Sequence, residues 1–232
     1  MDAELEGEVR RKRREIVRRT LLWGRDNVRD FPWRRDRTPY RVLVAEIILR
    51  RTTAKAACRV YGAFLRRYPD VYTLSRADVG ELEALLSAIG YHKQRALILK
   101  EVAQFIVSKY NGVIPDRRED LEAIPHVGHY TAGAVLSLGY GIPSAMVDSN
   151  VERVIGRVFS RALPARGRKR EVLEVAEAIV PREGHELFNL AMLDLGALVC
   201  RYRGEACQEC PLLEVCDTGI HRQGGKGAGR VT

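Results

Sequence analysis

The chain contains no apolar run approaching the ~20 residues that cross a bilayer. Its first fifteen residues are charge-dense where an export signal would need an apolar stretch. A membrane-embedded or secreted protein is therefore not expected, and a cytoplasmic one is. The chain also lacks sequence repeats and paired apolar–polar alternation, which argues against solenoids and β-sheet folds. Lysine is scarce: only seven of the 39 basic residues are Lys.

What is present is a chain of 232 residues, 46% hydrophobic and 30% charged, enough for one sizeable domain or two small ones. The net charge of +9 favours a polyanionic partner, since each neutralised phosphate releases counterions. Arginine, which dominates the basic set, binds phosphate with a planar fork. The basic run Arg10–Arg14 reads as a solvated helix face.

Apolar spacing is helical over 41–49, 83–89, 96–110, 131–140, 171–180 and 186–199. Breakers such as Pro39, Pro69, Gly90, Asn111-Gly112, Pro125, Pro143 and Pro181 divide these segments. The expected fold is all-α, with roughly ten short helices. Residues 165–170 read as a basic loop, and the Gly-rich segment 221–232 as a flexible tail.

Four of the five cysteines fall late in the chain, as Cys200-x6-Cys207-x2-Cys210-x5-Cys216. An odd count without an export signal argues against a disulfide framework. Four thiolates suit a zinc ion or a [4Fe–4S] cluster, and an array with a single CxxC favours iron–sulfur. Cys58 stands alone in an apolar context.

Residues 121–134 read as two helices joined by a tight turn over Pro125–Gly128. Such a turn can present backbone N–H groups beside a helix N-terminus to a phosphate, or it can be an ordinary connector. Gly128 is expected to supply the close approach and the positive φ. Asp148, eighteen residues after Tyr130, can cap the next helix and also serve as a fixed anion. Glu46 lies among aliphatics, where a carboxylate is either paired with an arginine or functional.

These motifs together resemble the helix-hairpin-helix DNA glycosylase superfamily that includes endonuclease III and the adenine DNA glycosylases. The likeness spans residues 15–217. The turn usually written Leu-Pro-Gly-Val-Gly is here Ile124-Pro125-His126-Val127-Gly128, and the aspartate segment is Val147-Asp148-Ser149-Asn150-Val151-Glu152-Arg153-Val154. The string Leu49-Arg50-Arg51-Thr52-Thr53 and the tyrosine at 130 are most similar to archaeal thymine-DNA mismatch glycosylases, whereas adenine-type members carry a Gln pair after the leucine.

The resemblance implies two helical modules. One covers 32–142 with the hairpin, and the other covers 1–31 plus 143–220 with a cluster held by Cys200, Cys207, Cys210 and Cys216. It implies a monomeric, nucleoid-associated enzyme that extrudes a thymine or uracil mispaired with guanine from double-stranded DNA. Asp148 and Glu46 would be catalytic. Tyr130, the third residue of the catalytic set, would stand where bifunctional members have a Schiff-base lysine and would stack on or hydrogen-bond to the extruded nucleotide, so little lyase activity is expected. DNA contacts fall to His126, Val127, Gly128 and Thr131 of the hairpin. Arg50 and Arg51 would lie at the orphan guanine, Tyr91 would act as a wedge, and Arg201 and Arg203 would lie beside the cysteines. Adenine excision opposite guanine or 8-oxoguanine is one alternative, although the chain ends too early for the C-terminal domain such enzymes add. A non-catalytic iron–sulfur DNA-binding protein is the other.

Overall fold

A computed structural model describes residues 1–164 and 168–226. Among them there is no strand, and no helix is long and apolar enough to cross a membrane. The helices are α1 (Ala3–Asn27), α2 (Pro32–Arg35), α3 (Pro39–Leu49), α4 (Ala54–Arg67), α5 (Val71–Ser75), α6 (Val79–Leu86) and α7 (His92–Tyr110). They continue with α8 (Arg118–Glu122), α9 (His129–Ala134), α10 (Ser149–Val158), α11 (Lys169–Ile179), α12 (His185–Leu198) and α13 (Asp217–Lys226). The all-α expectation holds. The extra helices beyond the expected ten are pieces such as α2, α5 and α8, which are too short to show a 3.6-residue period.

The chain forms two compact units, Asp30–Ile142 and Met1–Arg29 with Pro143 onward. In the first, α5 and α6 pack on α7, while α3 packs against the π-helical turns Val135–Tyr140 that extend α9. Thr38 caps α3, Pro39 opens it, and every residue from Val42 to Ile48 is buried, Glu46 included. Phe64, Leu82, Leu86, Leu99 and Ile106 fill this core, each burial worth about 1.5–3 kcal/mol.

In the second unit, α12 packs against α1 and α10. The buried face of α1 repeats as Leu5, Val9, Lys12, Ile16 and Thr20. Lys12 corrects the reading of its basic run as a solvated face: it is 3% exposed, and its Nζ donates to Asp217 Oδ1 at 2.5 Å and to the Val158 carbonyl at 2.9 Å. A buried ammonium needs such partners, because an unpaired charge in the interior is strongly destabilising.

Two expected irregular segments are partly helical. Of the basic loop 165–170, residues 165–167 lie outside the described ones and Lys169 opens α11. Of the expected tail 221–232, residues 221–226 complete α13 and the remainder lie outside the described residues.

Candidate active site and nucleic-acid interface

In the unit containing α10, Asp148 is the N-cap of that helix, half-buried. Its Oδ1 accepts from the backbone N–H groups of Asn150 and Val151, both at 2.8 Å, and its Oδ2 accepts from Asn150 Nδ2 at 2.8 Å. An anionic side chain is electrostatically favoured at this end of a helix. Three bonds also fix the plane in which the carboxylate can meet a ligand.

The amide of Asn150 is itself held. Its Oδ1 accepts from Arg153 Nη2 at 2.8 Å, and Arg153 also donates to the carbonyls of Gly196 and Cys200, both at 2.7 Å. Gly196 on α12 lies so close that a Cβ there would sit 2.6 Å from Asn150 Cβ. Asn150 and Arg153 were not singled out from the sequence, although their offsets of two and five from a helix cap were a visible signal.

The four late cysteines line one small cavity with Arg157, Leu213, Thr218 and Gly219. Burial pushes the Cys210 thiol up to about 12, with the other three sulfurs adding repulsion. Burial likewise raises Cys216. N–H donors face the sulfurs: Arg157 Nη1 lies 3.2 Å from Cys200 Sγ, and the Gly219 N–H lies 3.4 Å from Cys216 Sγ. Among the described residues no three His, Cys, Asp or Glu side chains converge as on a single ion. Four thiols lining one cavity, two of them with an N–H donor nearby, are the residue type that an iron–sulfur cluster takes. Arg201 and Arg203 are exposed in the loop between the first two cysteines, on either side of Tyr202, itself 77% exposed.

In the other unit, the hairpin joins α8 to α9, and the Val127 N–H donates to the Ile124 carbonyl at 3.0 Å. The positive φ falls on His126 (φ 64), whereas Gly128 has φ −104, correcting the expectation for that glycine. Histidine tolerates the left-handed region better than a β-branched residue does. Its exposed imidazole pairs with Glu101 at 2.9 Å. Gly128, exposed, has nothing within 4 Å of where a Cβ would stand, so the fold does not require glycine there. Val127 turns into the core and Thr131 is buried, leaving His126, Gly128 and half-buried Tyr130 as the accessible members of the hairpin set.

Arg50 is not a free DNA-facing cation. Its Nη2 donates to the His126 carbonyl at 2.5 Å and lies 3.4 Å from Thr131 Oγ1. Burial lowers its guanidinium from the usual value, and the charge of Glu46, one helical turn earlier, opposes that shift. Exposed Arg51, at φ 50, sets its guanidinium 5.2 Å from the Tyr91 ring centre. Tyr91, at φ 58, is 57% exposed. These two residues rim a cleft of about 220 Å³ whose remaining walls include Ile47, Gln94, Arg95 and Ile98. Arg50 serves as a strut between α3 and the hairpin, and Arg51 with Tyr91 forms the accessible pair.

Comparison with known proteins follows the same lines. The model of the HhH-GPD superfamily base excision DNA repair protein matches residues 44–182. The chain is 36% identical over 208 residues to a thymine/uracil-DNA glycosylase of Methanothermobacter thermautotrophicus, covering 88% of this chain and 94% of that protein. It is 37% identical over 216 residues to a thymine-DNA glycosylase of Aeropyrum pernix, covering 90% and 95% respectively. Its fold matches a solved thermostable thymine-DNA glycosylase with a TM-score of 0.85 at 34% identity, over 91% of this chain and 98% of that one.

Proposed function

The chain belongs to the HhH-GPD superfamily of base excision DNA repair proteins, and from that membership we propose that it is a monofunctional DNA glycosylase removing thymine or uracil mispaired with guanine. The observation carrying the catalytic part is Asp148, a half-buried carboxylate held by three N–H donors at the start of α10. As the bond between the anomeric carbon and the base nitrogen stretches, positive charge grows on the sugar. A carboxylate that is already oriented stabilises that charge with little reorganisation and takes a proton from the attacking water. The base departs with the bonding electron pair and is protonated. Glu46, buried in α3, is the group assigned to hold or protonate it.

Tyr130 occupies the position after the hairpin, and a phenol forms no imine with the sugar. The product is then an abasic site with an intact strand. The exposed cation at the corner after α3 is Arg51, which we assign to the acceptor edge of the orphan guanine. Tyr91 fills the space left in the stack. The hairpin N–H groups, Arg201 and Arg203 would contact phosphates. The four cysteines would hold a [4Fe–4S] cluster that staples a segment with little core of its own, and it supplies no step of the hydrolysis.

The test is base release from labelled T:G, U:G, A:G and A:8-oxoguanine duplexes. We expect release from T:G or U:G and not from the adenine pairs, no borohydride-trapped complex, and excision by Asp148→Asn lower by about 10²–10³-fold with duplex binding kept. Release of adenine instead would move the reading to the adenine enzymes. Binding without release of any base would leave only a DNA-binding protein. Iron and acid-labile sulfide analysis of the purified chain tests the cluster, and zinc in their place would overturn it.

A further inference from the structure

Arg95, in the first turn of α7, is 3% exposed. All three of its guanidinium nitrogens donate to backbone carbonyls. Nε reaches Ile47 at 3.3 Å, Nη1 reaches Gly90, and Nη2 reaches Arg50. Two of those carbonyls belong to the C-terminal end of α3, where unpaired C=O groups and the helix dipole both attract a cation. The third immediately precedes Tyr91.

Each anchored stretch runs directly into a non-glycine residue in the left-handed region, Arg51 at φ 50 and Tyr91 at φ 58. Such conformations persist only where surrounding contacts over-determine them. Here one guanidinium supplies contacts to both stretches, and the two side chains meet at 5.2 Å. Arg50, whose carbonyl Arg95 holds, carries the arrangement on to the hairpin turn through the His126 carbonyl.

We propose that Arg95 is a positioning residue that presets Arg51 and Tyr91 as a stacked pair at the spacing needed to replace an extruded nucleotide. The inference rests on the glycosylase reading above. Arg95 touches neither base nor sugar. It fixes the distance between two side chains that have to enter the duplex together, and a buried fork with three bonds does this more rigidly than a flexible ammonium could.

The experiment uses the full chain, wild type and Arg95→Met, with single-turnover excision from a T:G duplex. The same target is also presented opposite an abasic gap, where it is already unstacked. A fluorescent base analogue beside the target reports extrusion without requiring cleavage. Arg95→Met is expected to slow duplex excision by about 10²-fold, as small misplacements do. It should reduce the extrusion signal in parallel and leave the gapped substrate nearly unchanged. Arg95→Lys should recover only part of the loss. Equal losses on the two substrates would overturn the proposal. If Arg95→Met does not fold, Arg51→Ala and Tyr91→Ala are combined with Arg95→Lys instead; non-additive losses on the duplex support positioning, and additive ones overturn it. A wild type that releases no base sinks the glycosylase reading, while the fluorescence arm still judges Arg95.

Discussion

The turn before α10 and the corner after α3 solve the same problem by opposite means. Asp148 is oriented by neighbours two and three residues on, Asn150 and Val151, with Arg153 behind them. Arg51 and Tyr91 are oriented by bonds that span 45 residues from Arg95 to Arg50 and 76 from Arg50 to His126. The first arrangement sits in relaxed extended and helical backbone, and the second in left-handed conformations that L-residues avoid. A catalytic anion can be aimed by a helix cap, since the cap geometry already points its oxygens. A pair of side chains on separate loops has no local rule to aim it and depends on a third residue.

The comparison can be broken at either end. Losing Asn150 Nδ2 in Asn150→Ala leaves Asp148 its two backbone donors but frees its second oxygen. Single-turnover excision should fall by about tenfold or more, because a displacement of about 1 Å can cost up to 10²-fold. Duplex affinity should be retained. An unchanged rate would mean that the backbone cap alone aims the carboxylate.

A smaller effect is expected from His126→Gly. The left-handed backbone at His126 costs about 1–2 kcal/mol and would be relieved. Against that stand the greater chain entropy of glycine, about 0.5–1 kcal/mol, and the loss of an exposed pair with Glu101 worth at most about 1 kcal/mol. Denaturant unfolding should therefore shift by between a loss of about 1 kcal/mol and a gain of about 1.5 kcal/mol. A loss well beyond that would show that the histidine ring does more than tolerate the turn.

Much of this was legible along the chain, and the exceptions share a cause. The all-α fold followed from apolar spacing and breakers, and the Asn111-Gly112 stop at the end of α7 appears where expected, with both residues left-handed. Asp148, the cysteine array and the hairpin could be read because each is a contiguous string whose chemistry depends on spacing. Arg95 was passed over, and Lys12 was read with its basic run as part of a solvated face. Each nevertheless broke an apolar stripe at helical spacing, Arg95 with Leu99, Val102 and Ile106, and Lys12 with Val9 and Ile16. A cation at such a position must find buried acceptors, and the sequence marks that need without naming the partner.

The sequence alone therefore determined the helices, the cap that fixes Asp148 and the set of four thiols, because those depend on interactions within a few residues. Only the tertiary structure decided which of two adjacent arginines is a strut and which is presented, and which hairpin residue takes the positive φ. Those outcomes depend on carbonyls that the folded chain brings within reach of a single guanidinium, and no local pattern records them.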